Sequence, residues 1–327
     1  MIFRKFLMFA SRNAIPKFTL EVKSDNAGTS GTTQFTIPTT AGTYLYDYTT
    51  SDGQSGTGIT GNTTITFASG VGTYEIYITG TFPRMYFNNG GDKLKLLRVL
   101  EWGDYGEGAT DQTAAFYGCA NLSSIASDVT NLNLITDATN MFREGAALSS
   151  LPSGMTLASL DVGALMFRNC LSLSSLPSGI ELPLLTNGNN MFYNCAMPSL
   201  PSGMTLPLLT NGENMFFNIT ELASLPSGME LPLLTNGINM FRLTAITDLP
   251  AGMTLPSLSA GTNMFFGSTI NTTRYSQLLV DLESGNANNS VTFHGGNSLY
   301  NAAGETARDI LTGGVRLWTI TDGGLEP

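Results

Sequence analysis

The chain has 327 residues, 42% of them apolar and only 12% charged, with a net charge of -10 at pH 7. The apolar share is enough for a packed core, and the acidity argues against nucleic acid or an anionic membrane as partner. Gly, Ser, Thr and Asn take the place of charge, a balance that suits extracellular or virion β-structure better than a cytosolic enzyme.

Residues 1–16 read as an N-terminal arm closed by Pro16. Arg4, Lys5, Arg12, Lys17 and Lys23 make this end locally basic, which fits either a solvated arm or a dock for an acidic partner. The apolar stretch 6–10 is too short for an export signal, so none is expected. No stretch approaches the roughly 18 apolar residues of a membrane span.

From Lys17 the pattern has period two. Phe18, Leu20 and Val22 alternate with Thr19, Glu21 and Lys23, and Phe35 with Ile37, Ile65 with Phe67 and the run 74–79 repeat it. Turn-rich segments separate these runs, so residues 17–82 are expected to form a small β-sandwich. Ser51-Asp52-Gly53, Thr66-Phe67-Ala68 and residues 72–80 resemble PKD-like domains, immunoglobulin-like sandwiches common in surface adhesins. The family's tryptophan motif and its His-Thr-Tyr are replaced here by Thr50-Ser51 and Thr66-Phe67. Residues 83–110 read as the N-terminal cap of a solenoid, with Leu94, Leu96, Leu97, Val99 and Leu100 on one buried strand and Trp102 covering its end.

Residues 111–270 repeat. Phe116, Phe142, Phe167, Phe192, Phe216, Phe241 and Phe265 are separated by 26, 25, 25, 24, 25 and 24 residues, and all but the first follow a methionine. Such a period marks a solenoid of about seven coils sharing one spine, each stable only against its neighbours. A unit runs Asn190-Met191-Phe192-Tyr193-Asn194-Cys195, Leu200-Pro201-Ser202-Gly203-Met204, Leu206-Pro207-Leu208-Leu209, Asn211-Gly212. One short strand per unit is expected near Leu-x-x-Leu-Pro, about 4.8 Å from the next, with a tight turn at Asn-Met-Phe. The asparagine two before Phe (Asn140, Asn190, Asn214, Asn239, Asn263) is expected to be buried and to satisfy loop amides of the next coil. The glycine four before Phe (Gly163, Gly188, Gly212, Gly237, Gly261) is expected to supply positive φ. Cys119, Cys170 and Cys195 share a slot with Gly145, Ile219, Thr244 and Ser268, so they read as packed free thiols.

Met-Phe-x-x-Cys followed by Leu-x-x-Leu resembles the BspA-like leucine-rich repeats. Residues 271–327 break the period; helices are expected over 275–282 and 302–311. The closing Trp318-Thr319-Ile320-Thr321-Asp322-Gly323-Gly324 resembles the terminal cap of phage and prophage repeat proteins, with Leu317, Trp318 and Ile320 sealing the last coil. The expected fold class is mainly β: a small immunoglobulin-like sandwich, a leucine-rich-repeat solenoid and a small α/β C-terminal cap.

No catalytic, cofactor-binding or metal-binding residue is expected. Gly56-Thr57-Gly58-Ile59-Thr60-Gly61 matches a nucleotide-loop pattern but lacks the strand before and helix after that such a loop needs. His294 is the chain's one histidine and reads as part of a turn. The cysteines are not paired as a zinc site requires. Asp47 and Asp52 are the residues to watch for calcium. The acids Glu144, Asp161, Glu181, Glu213, Glu221, Glu230 and Asp248 are out of register with the repeat. Arg143, Arg168, Tyr193, Phe217, Arg242 and Phe266 all follow a repeat Phe directly, and they form either an outward stripe for a glycan or protein or plain coil-edge packing. The two resemblances together imply a non-enzymatic phage virion protein, a tail fibre or receptor-binding adhesin at the particle surface. It would assemble in the host cytoplasm, contact other virion proteins through arm and sandwich, and bind a host glycan or protein through the repeats; self-association is left open. A bacterial cell-surface adhesin, a polysaccharide-degrading tailspike and a head decoration or fibre protein are the alternatives.

Overall fold

The computed structural model describes residues 16–327. The arm with Arg4, Lys5 and Arg12 lies outside the described residues. The protein is mainly sheet, with few helices.

Seven strands build the first part: β1 (Phe18–Lys23), β2 (Gln34–Ile37), β3 (Leu45–Thr50), β4 (Ser55–Ile59), β5 (Thr63–Thr66), β6 (Thr73–Thr81) and β7 (Leu96–Glu101). Five pair antiparallel in the order β4-β3-β6-β1-β7, while β2 and β5 form a separate two-stranded antiparallel sheet. The alternation does what period two requires: Leu20, Val22, Ile76 and Ile78 face Phe35, Ile37 and Ile65 in a buried core between the sheets. The glycine-rich run 56–61 is mostly strand β4.

The segment read as a cap, 83–110, serves both neighbours. Its strand β7 pairs antiparallel with β1, at the edge of the sandwich sheet, while Arg98 bridges in parallel to Ser124 of the first repeat. Trp102 and Tyr105 are buried at this junction.

Beyond it, units of 24–26 residues stack in parallel. The ladder is one residue wide and runs Asp111, Asp137, Val162, Asn187, Asn211, Asn236 and Ala260. It therefore lies five residues before each Phe, not at Leu-x-x-Leu-Pro, where only Arg98–Ser124 and Ser150–Ser175 bridge. From there every second backbone N–H crosses to the next coil: Gly188 to Asn211 O, Asn190 to Glu213 O, Phe192 to Met215 O and Asn194 to Phe217 O, at 2.8–3.0 Å. The residues between them bond locally, Met191 N–H to Gly188 O and Tyr193 N–H to Asn190 O. This alternation uses the left-handed conformation at two sites per coil, for example Asn190 (φ 56°) and Asn194 (φ 59°).

Two sequence expectations change here. The repeat asparagines two before Phe are half-exposed and supply the positive φ, which Asn tolerates better than most residues. The glycines four before Phe have ordinary φ. They are small for another reason: a Cβ on Gly163, Gly188 or Gly212 would lie 2.9 Å from the Sδ of the next coil's methionine.

The repeat phenylalanines form one continuous buried stack. Ring centroids from Phe116 to Phe265 are 5.4–5.8 Å apart, wider than strand spacing, and the planes agree within 11°. The cysteine slot is likewise internal: Cys170 Sγ donates to Phe142 O and Cys195 Sγ to Phe167 O, each at 3.2 Å.

The last segment adds layers rather than sealing the stack. Helix α1 (Thr272–Gly285) leads to β8 (Thr292–His294) and β9 (Leu299–Tyr300); helix α2 (Ala302–Thr312) leads to β10 (Thr319–Thr321) and β11 (Gly324–Leu325). Gly261 N–H bonds to Thr292 O and Phe265 N–H to His294 O, so β8 takes the place of the next coil. Strands β10 and β11 then pair in parallel with β8 and β9. Trp318 and Ile320 are buried as expected, but Leu317 is 59% exposed with φ 52°, and no strand covers β10 or β11 on the outer side among the described residues.

Candidate binding surface

The position after each repeat Phe is the one that carries chemistry outward. Phe192 points into the spine and is fully buried; Tyr193 is half-buried at the surface of the same turn. Repetition of that turn lines up a column: Tyr117, Arg143, Arg168, Tyr193, Phe217, Arg242 and Phe266, with His294 of β8 at its end.

Its members stack on one another. Arg143 lies over the Tyr117 ring (4.7 Å) and Arg168 over the Tyr193 ring (4.8 Å). Tyr193 and Phe217 are parallel at 4.8 Å. Arg242 sits between Phe217 (5.3 Å) and Phe266 (5.0 Å), and the edge of His294 meets Phe266 at 5.3 Å. Outward stripe and edge packing are thus the same feature. Both faces of Tyr193 and Phe217 are covered by neighbours, so neither can serve as a flat platform for a sugar ring. What these residues turn to solvent is ring edges, hydroxyl and guanidinium N–H groups.

Positive charge is concentrated here. Between residues 111 and 270 the chain has three cations, Arg143, Arg168 and Arg242, and all three are in this column. The Nε of each is shielded and has no hydrogen-bond partner. Arg143 Nη1 donates to Asn140 Oδ1 (3.2 Å), with Glu144 Oε1 3.5 Å from its Nε. Arg242 Nη1 donates to Asn239 Oδ1 at 3.4 Å. Arg168 has neither a side-chain hydrogen bond nor an acid within ion-pair reach among the described residues. Beside the column runs a side-chain asparagine ladder: Asn218 Nδ2 donates to Asn194 Oδ1 (2.8 Å) and Asn194 Nδ2 to Asn169 Oδ1 (3.2 Å).

Tyr117 and His294 belong to the column although the sequence assigned neither to it; His294, read there as part of a turn, is the last residue of strand β8. Tyr117 follows Phe116 and was readable from the period. His294 was not, because β8 has no Met-Phe motif. Its Nδ1 accepts from Gly296 N–H at 3.0 Å, and burial lowers its pKa against a weaker opposing pull from Asp322. A second column, Leu134, Leu184, Leu208 and Leu233, was also missed; these leucines are 38–57% exposed, eight residues before their Phe.

The other sequence candidates stay apart. Asp47 on β3 accepts from Gly58 N–H on β4, and Asp52, in the turn between these strands, accepts from Thr50 Oγ1 and from the distant Ser69 N–H. Among the described residues no three His, Cys, Asp or Glu side chains are grouped closely enough to hold a metal. Burial raises the pKa of all three thiols, that of Cys170 to about 12. An open cleft of about 350 Å³ at the sandwich–repeat junction is lined by Tyr44, Pro83, Arg84 and Asp111, the last two ion-paired at 2.7 Å. Among the described residues no helix is long and apolar enough to cross a membrane. No protein-family model, curated protein or solved structure matches this chain.

Proposed function

We propose that this is a non-enzymatic recognition protein of a phage particle, in which a BspA-like leucine-rich-repeat solenoid presents the arginine–aromatic column to the host cell surface. The PKD-like sandwich, with the arm before it, is the end that meets other virion proteins. One observation carries the binding role: the cations of an otherwise acidic repeat region all fall in one column at the surface of the stacked coils. Repeat surfaces of this kind recognise partners by side chains that vary on a constant frame. The virion placement is drawn from the resemblance of the sandwich-plus-repeat order to tail and fibre proteins.

The test is retention of purified bacterial capsular polysaccharides and lipopolysaccharides on the immobilised protein. Retained polymers of unchanged chain length are expected. Retention of none, or recovery of shortened chains, overturns the reading. Antibody against the chain should also label purified phage particles; labelling of bacterial envelope fractions alone would favour a cellular adhesin.

A further inference from the structure

We infer that Arg143 and Arg168 form an oxyanion site, and that the surface component recognised is an acidic glycan, engaged through its carboxylate or phosphate groups. This inference rests on the binding role proposed above and names its ligand class.

Four observations carry it. Arg143 and Arg168 are on adjacent coils, with Glu144 N–H bonded to Arg168 O at 2.8 Å. They stack outward from each other, Arg143 on Tyr117 and Arg168 on Tyr193, so two cations stand side by side with no aromatic ring between them. Among the described residues the acid within ion-pair reach of either arginine is Glu144, 3.5 Å from Arg143. The terminal N–H groups of Arg168 have no partner among the described residues, and its Nε is already shielded without one. Adjacent like charges repel unless an anion is shared, and guanidinium forks match the planar or tetrahedral oxygens of carboxylate and phosphate. The tyrosines on either side hold both side chains in place, so little rotamer freedom is lost on binding. A neutral glycan lacks a counterpart: the ring faces it would stack on at Tyr193 and Phe217 are occupied. Three coils on, Arg242 also has no acid in ion-pair reach among the described residues, so a polymer with repeated acidic groups can touch both places.

The experiment measures binding of the full chain to polygalacturonate, to a glycerol-phosphate polymer and to neutral dextran. Binding to at least one acidic polymer is expected, with none to dextran, and the stronger acidic arm identifies the oxyanion. The affinity should fall steeply between about 50 and 500 mM NaCl, as displacement of condensed ions requires. The double variant Arg143→Gln/Arg168→Gln should lose about tenfold or more, while Arg143→Lys/Arg168→Lys retains part of the affinity. Binding by wild type that is insensitive to salt, equal binding to dextran, or binding to neither acidic polymer overturns the inference without any variant. If the wild type retains bacterial polysaccharides but the Gln pair retains them equally, the anion site fails and the recognition role stands. If the wild type retains none, the recognition role itself fails.

Discussion

At Asn190 the backbone is held at φ 56°, and the same left-handed geometry returns at Asn140, Asn214, Asn239 and Asn263. A Cβ-bearing residue pays about 1–2 kcal/mol there, and glycine does not. Among the described residues the Asn190 side chain bonds only to its neighbour Asn189, so little else is lost on replacing it. Asn190→Ala should lower the thermal midpoint, and Asn190→Gly should lower it less. Equal losses in a melting experiment would assign the residue's role to its side chain instead. A second residue-level effect concerns Asp92, which is buried with Lys95 between the sandwich and the junction. Its carboxylate accepts from Ser30 N–H and Oγ and from Thr36 N–H, while the Lys95 ammonium donates to Ser30 Oγ and to the Gly31 and Gln34 carbonyls. Burial pushes the Asp92 pKa up, but those hydrogen bonds and Lys95 outweigh it and leave it below the ordinary 3.8. A carboxyl depressed in the folded state stabilises above its unfolded pKa and loses that contribution as pH falls through the folded value. Urea midpoints should therefore drop as the pH falls below the ordinary carboxylate range, and Asp92→Asn, weaker at pH 7, should show a flatter acid limb. An unaltered limb in the variant would remove Asp92 from the cause.

A coil has little hydrogen-bonded sheet of its own, because neighbouring coils are joined by one or two single-residue bridges and by crossing N–H groups. The phenylalanine stack must then supply much of the cohesion. Phe192 is fully buried and lies 5.6 Å from Phe167 and 5.7 Å from Phe216. Phe192→Ala should cost about 3–5 kcal/mol, and Phe192→Leu clearly less. Chemical denaturation checks this; a loss below about 1 kcal/mol would mean that the coils hold together without the spine. The spine was legible in the sequence, since seven phenylalanines at one period leave few other arrangements. The roles of Gly and Asn were not. Close approach and positive φ both select small or adaptable residues, and spacing cannot say which constraint acts at which slot. The two terminal layers were hidden for a related reason. Helices α1 and α2 lengthen the unit, and Phe293 pairs into the ladder without a preceding methionine. The column after each Phe could be read from register, whereas the mutual covering of its ring faces depends on the 4.8–5.3 Å between stacked side chains, which no sequence records.

The double membership of β7 is also invisible in sequence, because its partner β1 lies about eighty residues away, and it bears on how the whole molecule should unfold. On one side β7 pairs with the sandwich; on the other, Ser123 N–H bonds to Leu97 O and Val99 N–H to Ser124 O of the first repeat. The side chains continue the connection. Phe18 of β1 stacks on Trp102 at 5.8 Å, and Trp102 meets Phe116, the first ring of the spine, at 5.7 Å. Apolar packing therefore runs from sandwich to coils without a solvated linker, so the two parts should share stability rather than melt as beads on a string. The chain's two tryptophans report opposite ends: Trp102 at this junction and Trp318 in the last layer, both buried. Leu20 lies in the sandwich core, fully buried, and Leu20→Ala should cost about 2–5 kcal/mol. In a Trp102→Phe background Trp318 is the one tryptophan reporter, and in a Trp318→Phe background Trp102 is. If the packing transmits, Leu20→Ala lowers the denaturation midpoint in both backgrounds by similar amounts. If Trp318 keeps its midpoint while Trp102 shifts, the stack unfolds in segments, and β7 is a joint between independent bodies rather than a strand shared by one.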